Sequence, residues 1–276
     1  MIKKFSTIIG VLAIAFSLQN CQNLDRPELG DYPKDNANLP EGNLRFFIPF
    51  DKQHEQLRFQ FAEELSGYPS YMPDKTISST EGISSKGYKG SISAHLNYLN
   101  PNDFVKKAQS FSVSYWMKHA PTTTNAEFIF SIPSNNGHWT KGTLMLMKES
   151  TANGIAVKFI IVDKDNKDTW LTWEGANSVA PVGFFDNQWH HCVFVYDAAT
   201  SALTFYKDGV KVGTEKKWGT HGAVNMDPTK VTGFKLGGPS GADSWMKSWN
   251  GSLDQFRLYA SALSSAEIQD LYNGKK

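Results

Sequence analysis

The chain has 276 residues, enough for one large all-β domain or two small ones with an ample core. Its 28 Lys and Arg against 27 Asp and Glu leave no basic stripe, which argues against nucleic acid as a partner. Two cysteines exclude a disulfide framework and a cysteine-rich zinc module, while 13% aromatic residues with eight tryptophans fit a β-sandwich core or a surface that stacks on flat ligands.

The N-terminus reads as a targeting segment. "MIKK" is a short basic region, and "FSTIIGVLAIAFSL" (5–18) is an apolar stretch of signal-peptide length, too short for a comfortable membrane span. It ends at "SLQNC", with Leu18 three residues before Cys21. This resembles the lipoprotein signals of Bacteroides-type bacteria. Asn20 departs from the small residue usual before the cysteine, a looseness those signals often show. The resemblance implies a signal peptide over 1–20, a lipid on Cys21 and an outer-membrane location at the cell surface, the periplasmic face being the alternative. An ordinary secretory signal cut nearby would still export the chain. Residues 22–42 are polar, rich in Pro, Gly, Asn and Asp, and lack a hydrophobic period, so 21–42 reads as a lipidated tether.

From Asn43 onward the texture changes, and 43–276 reads as one domain. "LRFFIPF", "SFSVSYWMK", "AEFIFSI", "GTLMLMK", "IAVKFIIVD", "TWLTWE", "HHCVFVYD", "ALTFYKDGVKVG", "TGFKLGG" and "GSLDQFRLY" are short β-branched or aromatic runs punctuated by Gly, Asn, Asp and Pro. Many such runs at short spacing predict an all-β, antiparallel two-sheet sandwich or jelly roll. Asp208-Gly209 supplies a tight hairpin turn, and "DKDNKD" (163–168) a second turn. A single helix is predicted at the C-terminus. Ser264 and Glu267 form a capping box, Ile268, Leu271 and Tyr272 an apolar face, and Gly274 a stop.

Three segments together resemble the laminin G type 3 (LamG-like) jelly roll of the concanavalin A-like lectin/glucanase superfamily. They are "SFSVSYWMK" (110–118), "WHHCVFVYDAATSALTFYKDGVKV" (189–212) and "GSLDQFRLYASALSSAEIQDLY" (251–272), with "LRFFIPFD" (44–51) a weaker fourth. The likeness covers most of 43–275; 52–100 matches little, so inserted loops are expected there. It implies two stacked antiparallel sheets with the first and last strands side by side. It also implies a structural calcium where those strands meet, with Asp51 and Asp254 at the matching positions. The superfamily includes lectins, glycosidases and adhesion domains, so fold alone does not give function.

Candidate chemistries then divide. A retaining glycosidase needs two carboxylates about 5–5.5 Å apart. Asp163, Asp165 and Asp168 fall in a turn and Asp254 is alone on its strand, so no catalytic residue is expected. "WHHCVFVYD" (189–197) could suggest zinc or a nucleophilic cysteine. Alternation, however, sends His190, Cys192, Phe194 and Tyr196 to one face and His191, Val193 and Val195 to the other. One metal cannot readily take both histidines, and Cys192 reads as a small buried hydrophobe. Asp163, Asp165 and Glu174 mimic an EF-hand count, but Lys167 and Asp168 break it. Trp116 and Trp189 match scaffold positions of the family. Trp139, Trp170, Trp173, Trp218, Trp245 and Trp249 lie in or beside polar loops and are the candidate ligand-binding residues. Trp170 and Trp173 point to opposite faces of a regular strand. The expectation is a lipid-anchored, non-catalytic protein that binds oligo- or polysaccharide beside outer-membrane transporter components. The alternatives are a protein-interaction lipoprotein and, less favoured, an atypical glycosidase.

Overall fold

Short strands dominate because the runs are rich in β-branched and aromatic side chains, which suit a pleated surface, and the central strands Phe111–Lys118, Ala126–Pro133, Gly142–Thr151, Gly154–Val162 and His190–Asp197 are buried on both faces. The computed structural model describes residues 43–50, 60–61, 71–72, 77–98, 104–122, 124–152, 154–174 and 183–275. The expected signal peptide, Cys21, the tether and Asp51 lie outside the described residues. Among the described residues, no helix is long and apolar enough to cross a membrane.

In chain order the strands begin with β1 (Leu44–Ile48), β2 (Gln60–Phe61), β3 (Tyr71–Met72), β4 (Ser78–Glu81), β5 (Lys86–Lys89) and β6 (Leu96–Tyr98). A four-residue helix, Phe104–Lys107, precedes β7 (Phe111–Lys118), β8 (Ala126–Pro133), β9 (Gly142–Thr151), β10 (Gly154–Val162) and β11 (Asp168–Trp173). Then come β12 (His190–Asp197), β13 (Ala202–Lys207), β14 (Val210–Lys211), β15 (Lys216–Lys217), β16 (Phe234–Leu236), β17 (Met246–Ser248) and β18 (Ser252–Tyr259). The C-terminal helix spans Ser265–Asn273.

These strands form two sheets, as the alternation predicts. The first runs β14-β13-β12-β7-β18-β1-β2, with β15 on β13 and the β4–β5 hairpin on β18. The second runs β11-β10-β9-β8-β16-β6-β3, with β17 parallel to β8. The first and last long strands lie side by side, Phe46 opposite Leu258 and Ile48 opposite Phe256. Residues 77–98 contribute strands to both sheets rather than loops alone.

The inter-sheet core is aromatic. Phe194 stacks on Phe205 at 4.5 Å, Phe159 lies 5.6 Å from Phe194, and Phe111 stacks on Tyr196 at 5.6 Å. In β18, Gln255 has φ 45° and the register shifts between Asp254 and Arg257. This bulge inserts one residue, so Leu253, Phe256 and Leu258 all face the core despite their odd spacing. The Asp208-Gly209 turn has φ 51° and 79°, both positive as a primed hairpin turn requires.

The strand "HHCVFVYD" splits as alternation predicts. Cys192, Phe194 and Tyr196 join the inter-sheet core, while Val193 and Val195 pack outward against Ile268 of the C-terminal helix. That helix forms the capping box: Ser264 Oγ accepts from the Glu267 N–H, and Glu267 Oε2 accepts from the Ser264 N–H at 2.7 Å. Tyr272 stacks on Trp116 at 5.7 Å, so the helix seals the outer face of the first sheet over Trp116 and His191.

Candidate functional site

The neighbouring histidines serve structure, each differently. His190 lies between two carboxylates, with Asp208 Oδ2 at 2.8 Å from Nδ1 and Asp186 Oδ1 at 3.0 Å from Nε2. The hydrogen bond to Asp208 raises its pKa, burial opposes the rise, and Asp186 reinforces it. His191 is fully buried under the C-terminal helix, 2.9 Å from Ser114 Oγ. Burial, with Arg257 nearby, pushes its pKa down to about 3. Burial also raises the Cys192 thiol well above its usual value, which removes the thiolate that nucleophilic chemistry needs.

The opposite shifts set two pH windows. His190, whose folded pKa is raised, contributes stability that is complete below its unfolded value and lost as pH rises through the folded one. His191 stays neutral in the fold while the unfolded chain takes up a proton, so stability falls below about pH 6.5, by about 1.4 kcal/mol per unit toward pH 3. Stability is therefore expected to peak near pH 6.5. Urea melts from pH 5 to 9 should lose their acid slope in His191→Gln and their alkaline slope in His190→Gln. An unchanged acid slope in His191→Gln refutes the assignment.

The acids also resolve into structural roles. Asp163 Oδ1 accepts from the Asp165 and Lys167 N–H groups at 2.9 and 3.0 Å, clamping the hairpin turn and not an EF-hand ion. Asp254 is buried. Its Oδ2 accepts from the Ile83 N–H at 2.8 Å and its Oδ1 from the Gln255 N–H at 2.8 Å. The Ile83 bond ties the β4–β5 turn to β18. Asp254 thus acts as a clamp on the β4–β5 turn, while Asp51, the other residue of the expected calcium site, lies outside the described residues. Among the described residues, no three His, Cys, Asp or Glu side chains converge as metal ligands.

The tryptophans divide sharply. Trp173 and Trp249 are buried at 1% and 0% exposure, so these two candidates offer no face to a ligand. The reason is alternation and chain path. Trp173 faces inward against Phe194 and Phe205, and Trp249 turns into the sandwich to pack 4.5 Å from His119. Trp218 packs at the core margin and stacks on His221.

Trp139, Trp170 and Trp245 meet. On the second sheet, Leu144 and Leu146 face the core, so Met145 and Met147 face away from it. With Phe128, Ile160, Val162 and Met246 they form a separate apolar cluster on the outer face. Trp170 of β11 packs on this cluster. Trp139, from the β8–β9 loop, stacks on Trp170 with centroids 5.9 Å apart and planes within 9°. Trp245, just before β17, lies 6.3 Å from Trp139, tilted by 41°, and 6.0 Å from Phe128. Trp139 is 53% exposed and Trp245 38%.

Hydrogen bonds fix these loops to one another. Ser240 Oγ donates to Thr140 O at 2.7 Å, and Asn166 Nδ2 donates to Asn136 O at 2.9 Å. Polar groups rim the indoles. Trp170 Nε1 donates to Asp168 Oδ2 at 3.0 Å, and His138 Nε2 lies 3.7 Å from the same oxygen. The Lys158 ammonium, paired with Glu149, sits 5.6 Å from the Trp170 ring centroid. A flat apolar surface with polar edges can stack on a ring-shaped ligand and hydrogen-bond its periphery.

The family model for Laminin_G_3, of the concanavalin A-like lectin/glucanases superfamily, matches residues 93–269. The chain belongs to this family. The match takes in β6 to β18, including all three tryptophans of the outer face, and begins after β1. No curated protein matches the chain significantly. Among solved structures, the receptor-binding domain of botulinum neurotoxin type G is similar with a TM-score of 0.56 at 12% identity, covering 85% of this chain and 52% of that one. The binding domain of Paraclostridial mosquitocidal protein 1 gives 0.58 at 16% identity, covering 84% and 52%. The binding domain of botulinum neurotoxin DC in complex with rat synaptotagmin II gives 0.58 at 13%, covering 85% and 52%. The Laminin_G_3 chain thus spans about half the length of these structures, and at such identity the likeness shows the fold.

One feature of this Laminin_G_3 domain escapes sequence reading. Glu127 of β8 and Lys148 of β9 face each other across the strands, both buried, with Lys148 Nζ 3.1 Å from Glu127 Oε1. His119 Nε2 lies 2.9 Å from Glu127 Oε2, which also accepts from the Asn250 N–H at 2.8 Å. Burial alone would raise the Glu127 pKa, but the hydrogen bonds from His119 and Asn250 and the Lys148 charge outweigh it and hold the carboxyl below its ordinary value. Lys148 further donates to Thr122 O and Thr124 O. The group ties the β7–β8 loop and the β17–β18 connection to the second sheet. Its only sequence signal was one charge in each of two otherwise apolar runs.

Proposed function

We propose that the chain is a non-catalytic, lectin-like protein that captures glycan on the indole surface of Trp139, Trp170 and Trp245. One observation carries this reading: three sequence-distant tryptophans converge outside the core, two of them substantially exposed. Exposed aromatic clusters of this kind are costly unless they bind something. Sugar C–H faces suit indole faces, and the part-exposed Asp168 carboxylate can accept from hydroxyls. The binding domains among the similar folds are consistent with a capture role. Calorimetry against a panel of soluble polysaccharides tests it. Trp139→Ala and Trp245→Ala should each weaken binding about tenfold or more while the melting temperature holds. No glycan bound by the wild type refutes the proposal.

The proposal includes a lipid on Cys21, holding the domain at the outer-membrane surface beside a transporter and raising local ligand concentration. Labelling with an alkyne fatty acid should mark the wild type and not Cys21→Ala; equal labelling refutes the anchor. A second reading, protein capture, is favoured by the similar domain solved in complex with rat synaptotagmin II. A membrane partner retained by both tryptophan variants would select it.

A further inference from the structure

The tilt between the two exposed indoles narrows the ligand. Trp139 and Trp245 lie 6.3 Å apart, comparable with the length of one pyranose unit, and their planes are inclined by 41°. This inclination is built in by separate supports. Trp139 takes its plane from Trp170, parallel to within 9°, and Trp170 is held in turn by its hydrogen bond to Asp168 and by the Lys158 ammonium. Trp245 leans on Phe128, a different base on β8. Trp170 is therefore a positioning residue, and Trp139 and Trp245 supply the stacking faces.

Resting on the glycan reading above, we infer that the ligand is a single, turning chain of neutral pyranose units, at least two units long. Two faces inclined by 41° cannot both lie flush on a crystalline polysaccharide, whose sugar faces are coplanar. A lone sugar covers one face. In a helically wound chain, successive units rotate relative to one another, so consecutive faces can meet both rings. Neutrality follows from the rim. The Asp168 side chain is 38% exposed beside Trp170, while the Lys158 charge is already taken by Glu149. A uronic acid would bring a second carboxylate against Asp168, whereas a hydroxyl donates to it.

The test is calorimetry on the full-length protein with glucose, with β-1,3-linked and α-1,4-linked glucose oligomers of two to six units, and with polygalacturonate, plus depletion by microcrystalline cellulose. Affinity for at least one oligomer series should rise about tenfold or more over glucose and then level off. Trp245→Ala should abolish that rise, so that the longest oligomer binds the variant no more than about twofold better than glucose does. Cellulose and polygalacturonate should bind weakly or not at all. Equal affinity for glucose and hexamer, or tryptophan-dependent binding to cellulose or polygalacturonate, overturns the inference and leaves the glycan reading standing. Binding to no glycan overturns both.

Discussion

Glu127→Ala is expected to destabilise the domain by about 3–5 kcal/mol, a fall in melting temperature of roughly 10 °C. The carboxylate is 1% exposed and is the only acid paired with Lys148 and His119 among the described residues. Removing it leaves a fully buried ammonium with, among the described residues, carbonyl and hydroxyl partners alone, and burying an uncompensated charge costs far more than losing an exposed pair. Glu149→Ala is the control. It breaks the part-exposed pair with Lys158 on the outer face and should cost about 0–1 kcal/mol. Thermal melts at pH 7 decide the matter. A Glu127→Ala cost below about 1 kcal/mol would mean the network adds little to stability.

Trp173→Ala is expected to cost about 3–5 kcal/mol, because truncating a buried aromatic adds a cavity to the lost burial. Its ring meets Phe194 at 5.5 Å and Phe205 at 5.8 Å, edge to face, so the cavity would open within the main aromatic stack. Trp139→Ala removes a ring that is 53% exposed and should cost about 1 kcal/mol or less. Urea titration of the two variants separates scaffold from site. If Trp139→Ala unfolds the domain as readily as Trp173→Ala, Trp139 is covering the outer apolar cluster and is not held ready for a ligand.

Much of the fold is legible one strand at a time. A period of two is local, so alternation alone places Cys192 and Phe194 inside and His191 outside, and sends Trp170 and Trp173 to opposite faces. The Asp208-Gly209 turn and the Ser264–Glu267 capping box are equally local. Asp208 does more than its dipeptide announces, since its carboxylate also takes the His190 ring and the His191 N–H.

The candidate site is legible only as a set of residue types. Six loop tryptophans look alike in sequence, yet Trp245 is exposed and Trp249, four residues on, is wholly buried. That difference depends on β17 pairing parallel to β8 before the chain turns into the sandwich. Asp254 stands alone on its strand in the sequence, and only the fold brings the N–H groups of the β4–β5 hairpin onto its carboxylate. Glu127 and Lys148 are 21 positions apart and meet through the register of β8 and β9.

By itself the sequence determined the all-β class, the face of each side chain on its strand, the turn and cap chemistry and the family likeness, because each follows from contacts within a few residues. Only the tertiary structure decided which tryptophans share a surface, which acids are spent on backbone donors, and that a buried charge group braces the second sheet. Those depend on strand order and register, which bring together residues from β8, β9, β11 and the segment before β17. Such long-range pairings arise from the summed burial of many residues, and no single stretch encodes them.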